Sequence, residues 1–124
     1  MKYEFLDKAR ENLAAAEICF ENEMYDACAN RAYYAAFQAA VSALADRGIK
    51  KEKLDHRWVQ AEFSSRLIWR QKIYSSKIKS YLMKMQNVRN EADYKMQKVS
   101  KNVARKQLSK AREIIIAVKK ELEK

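Results

Sequence analysis

The 124-residue chain carries 26 Lys and Arg against 16 Asp and Glu, a formal +10, and it has one glycine and no proline. So few turn residues exclude a turn-rich fold and any glycine-rich phosphate loop, which leaves a nearly all-helical single domain over residues 1–124. One histidine and two cysteines leave no multi-histidine metal site and imply no cofactor, and without a membrane-length apolar run or a signal-like N-terminus the chain is expected to be soluble and cytoplasmic.

The first helix is expected over roughly residues 2–21, with Leu6, Ala9, Leu13, Ala16 and Phe20 at alternating steps of three and four. Asn22 stands where a left-handed terminator is useful, and a second helix follows from about Tyr25 to Arg47, ended by Gly48. Ala27, Tyr34, Phe37, Val41 and Leu44 form its apolar face. Nine alanines between Ala27 and Ala45 allow close approach on several sides, so this helix is predicted to be the central one. Cys19 and Cys28 flank the turn symmetrically and read as reduced core residues, although an antiparallel hairpin would also bring them within reach of each other.

Asp55 is placed to cap a third helix from about His56 to Trp69, with Trp58, Val59, Phe63 and Leu67 inward. Ser75 or Ser76 caps a fourth, carrying Ile78, Tyr81, Met85, Val88 and Ala92 until MQKVS breaks the pattern. Ser100 caps a fifth, with Ala104, Leu108, Ala111, Ile115, Val118 and Leu122 in heptad-like series. Short connections predict an all-α, up-and-down bundle of four to five helices. If successive helices alternate strictly, Arg47, His56, Arg89, Tyr94 and Lys101 gather at one end.

Charge is uneven along the chain. Residues 66–124 hold 17 Lys and Arg against 5 Asp and Glu, a net +12, while residues 1–65 hold 9 against 11, a net −2. From Lys95 to Arg112 there are seven basic residues and no acid, with Lys98, Lys101, Arg105 and Arg112 spaced for one helical face. Lys95, Lys98, Lys101 and Arg105 are therefore candidate nucleic-acid-binding residues, set against the plainer reading of a solvated lysine-rich surface.

His56, at the first turn of a helix, is a candidate site residue or a terminal residue bonded locally. Arg89 borders the buried stripe, where its guanidinium can fork onto a phosphate or pair with Asp93 four residues on. Asn90 can donate to a phosphate oxygen or face solvent. Tyr94 hydrogen-bonds readily, but with an ordinary pKa of about 10 it is a poor general base at neutral pH.

Three blocks, NRAYYAAFQAAVSALADRG at residues 30–48, LDHRWVQAEF at 54–63 and RNEADY at 89–94, resemble in order and spacing those of the HEPN superfamily, closest to its small stand-alone members. The resemblance implies a helical bundle that forms homodimers, acts on RNA without metal, and is often the toxin half of a pair with a minimal nucleotidyltransferase. In ribonuclease branches the site resembles Arg, a polar residue and a following His. Arg89 and Asn90 match, whereas Tyr94 occupies the histidine position and Met96 the place of a regulatory tyrosine. The resemblance thus implies RNA or nucleotide binding at Arg89 and Asn90, with cleavage requiring His56 in place of the missing histidine. The alternative is a non-catalytic nucleotide-binding or protein-interaction module in which Arg89 and Asp93 only hold the bundle end together.

Overall fold

The computed structural model describes residues 1–95 and 98–124, so Met96 of the regulatory comparison lies outside the described residues. Five helices form the predicted all-α bundle: α1 (Lys2–Glu21), α2 (Tyr25–Asp46), α3 (His56–Glu62) continuing as a π-helical segment (Phe63–Arg70), α4 (Ser76–Tyr94) and α5 (Lys101–Leu122). The helix starts are set by side chains placed to satisfy orphan backbone donors. Asp55 accepts from the Trp58 amide at 2.8 Å, Ser75 from Lys77 at 3.2 Å and Ser100 from Val103 at 3.1 Å. Gly48 ends α2 with φ +74°, as expected. After α1 the left-handed residue is Glu23, at φ 62°, and not Asn22, which instead turns its side-chain amide back onto the Ile18 carbonyl at 2.8 Å.

The central place expected for α2 is the one it takes, touching every other helix. Ala32, Ala35, Ala36, Ala39 and Ala40 are fully enclosed, which lets neighbouring backbones approach on several sides. Its most deeply buried aromatic is Tyr33; Tyr34, expected on the core stripe, is half-buried. On α5 the whole expected series Ala104, Leu108, Ala111, Ile115, Val118 and Leu122 is buried. On α4 the buried line is Ile78, Leu82 and Met85, one residue round from the expected Tyr81, and on the third helix it is Val59, Phe63 and Leu67. Cys19 and Cys28 are free thiols, and burial pushes Cys28 up to about 11, so it stays protonated and unreactive in the core.

Direction does not alternate at one connection. Lys2 pairs with Asp46 at 2.9 Å, so α1 and α2 are antiparallel, and Asn30 meets Asp93 at 3.1 Å, so α2 and α4 are antiparallel too. His56 meets Tyr33 and Gln60 meets Gln86, which sets α3 antiparallel to α4 and parallel to α2. Residues 47–55 therefore carry the chain back along the bundle before α3 starts. The consequence corrects one grouping made from strict alternation. Arg47 lies at the far end, against Asp46 at 3.6 Å and Glu121 of α5 at 3.9 Å, and does not join His56 and Arg89.

Candidate functional site

The start of α2 supplies Asn30, Arg31, Tyr33 and Tyr34 to a cluster completed by His56 from α3 and by Arg89 and Asp93 from α4. The doubled-back connection is what brings His56 there. Its ring centroid lies 4.8 Å from that of Phe37, 5.3 Å from Tyr33 and 6.1 Å from Tyr34. The Arg89 guanidinium lies 5.2 Å from the Tyr34 ring centre and 5.7 Å from that of Tyr33. Two residues 33 positions apart thus share one aromatic floor, on which a cation is held by the negative ring faces.

His56 is fixed by a hydrogen bond. Its Nδ1 lies 2.6 Å from the Tyr33 hydroxyl. Burial holds that phenol up at about 12, against the weaker opposing pull of the Gln60 amide and Arg89, so Tyr33 keeps its proton. With its proton retained, the hydroxyl is suited to donate to Nδ1, the arrangement that matches an imidazole carrying its proton on Nε2. In the neutral ring the imidazole proton is then on Nε2. Partial burial, followed by the Arg89 charge, holds His56 below its usual value against the opposing Asp55, so the ring is neutral at neutral pH and presents Nε2–H as a donor.

Arg89 is nearly enclosed, its side chain 11% accessible. Burial works against its charge. The Asp93 hydrogen bond, then Tyr34 and the remaining negative partners, outweigh burial and raise its pKa above the usual value. Only Nε is engaged: it donates to Asp93 Oδ2 at 3.2 Å, and the same oxygen accepts from the Asn30 amide at 3.1 Å. The two terminal nitrogens have no hydrogen-bond acceptor among the described residues. One edge of the guanidinium is anchored, then, and the forked end is uncommitted, which is the arrangement that takes a phosphate in two parallel hydrogen bonds.

Arg31 extends the positive charge. It donates to Asn30 Oδ1 at 3.0 Å and 2.6 Å and to Asn12 Oδ1 at 3.4 Å, and lies 5.2 Å from the Tyr34 ring centre. Tyr34 accordingly has a guanidinium at 5.2 Å from each of two helices. Among the described residues Arg31 forms no ion pair, and Arg89 forms one, with Asp93.

The expected site residues separate into pairs. His56 and Arg89 come together; Asn90 and Tyr94 instead line a shallow recess on the outer side of α4 with Asn87, Glu91 and Lys95. Tyr94 is 77% exposed and stands outside the aromatic cluster. Lys95, Lys98, Lys101 and Arg105 are all exposed and join no ion pair among the described residues, but they do not form a purely basic track. Lys98 borders a recess containing Glu23 and Asp26, Arg105 covers the Phe20 ring at 5.8 Å, and Arg112 is paired with Glu17 at 3.6 Å. Asn30, Arg31, Tyr33 and Tyr34 are site residues that the sequence pattern did not single out, the two tyrosines reading as packing. Their signal is the NRAYY string itself, where i to i+3 and i+4 spacing puts an amide, a cation and two phenols on adjoining faces of one turn.

No group of three or more His, Cys, Asp or Glu converges among the described residues, and none of their helices is long and apolar enough to cross a membrane. The fold and cluster define a class: a small five-helix bundle with a polar, arginine-centred site on an aromatic floor. The HEPN domain profile matches residues 3–122, and the chain belongs to this family. A protein of Methanocaldococcus jannaschii named "putative toxin" is similar, 33% identical over 121 residues, with 94% of this chain and 85% of the relative covered.

Proposed function

We propose that this HEPN protein is of the toxin type and binds RNA at the Arg89–His56 site. The observation that carries the reading is the guanidinium of Arg89, charged and nearly enclosed, with Nε tied to Asp93 and its terminal nitrogens uncommitted. A phosphate held by that fork also meets the charge of Arg31 and a neutral His56 that offers Nε2–H. The name of the similar protein supports the toxin class. In this reading the chain acts as a homodimer and is restrained by a nucleotidyltransferase partner. Purified protein sedimenting as a monomer at micromolar concentration rejects the dimer.

Binding without cleavage is the primary reading because of the tautomer. Metal-free cleavage needs a base for the 2′-OH and an acid for the leaving oxygen. With Nδ1 occupied by Tyr33 and a proton on Nε2, neutral His56 donates and has no lone pair to serve as that base. Cleavage is the second reading, favoured by the closeness of a neutral histidine to Arg89, and it requires the Tyr33 hydroxyl to turn and the ring proton to move to Nδ1. The test is RNA incubated with chelator and with wild-type, Arg89→Ala or His56→Ala protein. Binding weakened by Arg89→Ala, with intact RNA throughout, supports the primary reading. RNA cut by the wild type and spared by both variants replaces it with the second. Equal affinity of wild type and Arg89→Ala overturns the phosphate role of Arg89.

A further inference from the structure

One helical turn along the seam from the Arg89–His56 cluster, the π-helical segment and α4 enclose an open groove of about 710 Å³. Its near end is the Gln60–Gln86 hydrogen bond at 2.7 Å, with Gln60 one turn beyond His56 and Gln86 three residues before Arg89. Trp69, 66% exposed, and Met83, 49% exposed, stand in its lining together with Arg57, Arg70 and Lys79. None of these three cations joins an ion pair among the described residues, and no acid lines the groove. The π winding bears on this arrangement. It keeps Phe63, Ser64, Leu67 and Ile68 in the core while Trp69 and Arg70, next along the chain, are left outside.

We propose that this groove binds the single-stranded continuation of the RNA held at Arg89, with Trp69 as the platform on which an unpaired base stacks and Arg57, Arg70 and Lys79 taking the flanking phosphates. The proposal rests on the RNA reading of the Arg89 site. An exposed indole among uncompensated cations is the combination that grips single strands, because every base has a face to stack and every linkage a charge. The groove begins one helical turn from His56, and Trp69 stands thirteen residues beyond His56, roughly 20 Å along the helix, so the strand reaches it over several nucleotides rather than at the next one. A second copy of the chain is a poorer occupant. A two-fold contact sets the same patch against itself, and this patch offers three positive charges and no acid to meet them.

The test is a titration with an oligouridylate of about ten nucleotides, followed by tryptophan fluorescence and repeated across salt concentrations. The expected result is quenching in the wild type and about tenfold weaker binding by Trp69→Ala, with the remaining Trp58 signal unchanged. Arg70→Ala combined with Lys79→Ala should make the slope of log affinity against log salt shallower by about 0.7 per cation removed. A fully paired duplex of the same length should not quench. Trp69 is a surface residue, so its loss leaves the core intact, and Lys79→Glu serves as a second probe of the groove. Equal affinity of wild type and Trp69→Ala, with binding still weakened by Arg89→Ala, overturns the groove and leaves the Arg89 site standing. Absence of RNA binding by the wild type overturns both. An unchanged RNA affinity for Trp69→Ala, with its sedimentation shifted from the wild type, makes the groove a contact between copies and also rejects the proposal.

Discussion

The two ends of the bundle each hold cations beside acids, and they use them differently. At the far end Lys2, Arg47 and Lys124 each pair with Asp46 or Glu121, with Lys2 and Asp46 2.9 Å apart. At the site end Arg89 pairs with Asp93 and Arg31 joins no ion pair among the described residues, asparagine side chains and tyrosine rings taking the remaining contacts. Accessibility differs between the two arginines, the Arg47 side chain being 38% accessible and that of Arg89 11%, while the acids run the other way, with Asp46 and Glu121 at 14% and 16% and Asp93 at 30%. A cluster whose cations are all paired and partly exposed fastens helix ends with modest consequence. One that joins an enclosed, half-committed guanidinium to a cation without an ion pair keeps positive charge available in a shaped position, a state that serves an anionic ligand better than it serves stability.

The largest effect expected from this contrast is on binding. Arg89→Ala removes a charge-assisted fork of the kind that contributes about 1.5–3 kcal/mol, so RNA affinity measured by filter binding should fall roughly 10- to 100-fold. Arg89→Lys should recover only part of the loss, because an ammonium lacks the planar fork. If Arg47→Ala weakened RNA binding as much as Arg89→Ala, the distinction between the two ends would collapse.

Next in size is the hydrogen bond that orients His56. Tyr33→Phe leaves the ring in the core and deletes the donor to Nδ1, with an expected cost of about 1 kcal/mol in chemical denaturation. Losing a hydrogen bond made to the neutral ring also shifts the His56 titration upward. His56 is the single histidine in the chain, so one NMR resonance reports it. The same residue sets a pH dependence. Its pKa is lowered in the folded state, so below the unfolded value of about 6.5 the unfolded chain binds the extra proton first. The contribution is fully present above that pH and is lost as pH falls through the lowered folded value. Stability should therefore decline as the solution is acidified through this window, and His56→Gln should flatten the decline; an unaltered slope would show that His56 is not its source.

How much of this could be read from the sequence depended on whether local rules or long-range geometry decided the matter. Caps at Asp55, Ser75 and Ser100, the Gly48 terminus and the entire buried series of α5 follow from residue type and spacing within a turn or two, and all formed as expected. The central place of α2 followed from its alanines. Positions of neighbours within a stripe were less legible: Tyr33 and Tyr34 are chemically alike, and only the arrival of His56 and Arg89 from other helices decides which is sealed and which is half-open. The direction of α3 was not legible, because residues 47–55 are long enough to carry the chain either way. That one reversal removed Arg47 from the cluster and kept His56 in it. The closeness of His56 and Arg89 was therefore anticipated, while the reason for it, a shared floor supplied by the start of α2, was not.

The smallest expected effect is the most informative about the far end. Arg47→Ala breaks two contacts, at 3.6 Å and 3.9 Å, that are long and reach solvent on the arginine side, and both acids keep a lysine partner at 2.9 Å, so the loss in denaturant stability should be no more than about 1 kcal/mol and should shrink further in high salt. Asp46 keeps its 2.9 Å partner Lys2 in the variant, so no charge is left unpaired by the change at that carboxylate. RNA affinity should stay within about twofold of wild type, since a lost unit charge roughly a bundle length away is screened over a Debye length of about 8–10 Å. A penalty of several kcal/mol would mean instead that Arg47 locks the start of the returning connection, and through it the placement of His56. In that case Arg47→Ala and Tyr33→Phe would be non-additive in a double-mutant cycle, and independent behaviour would exclude the link.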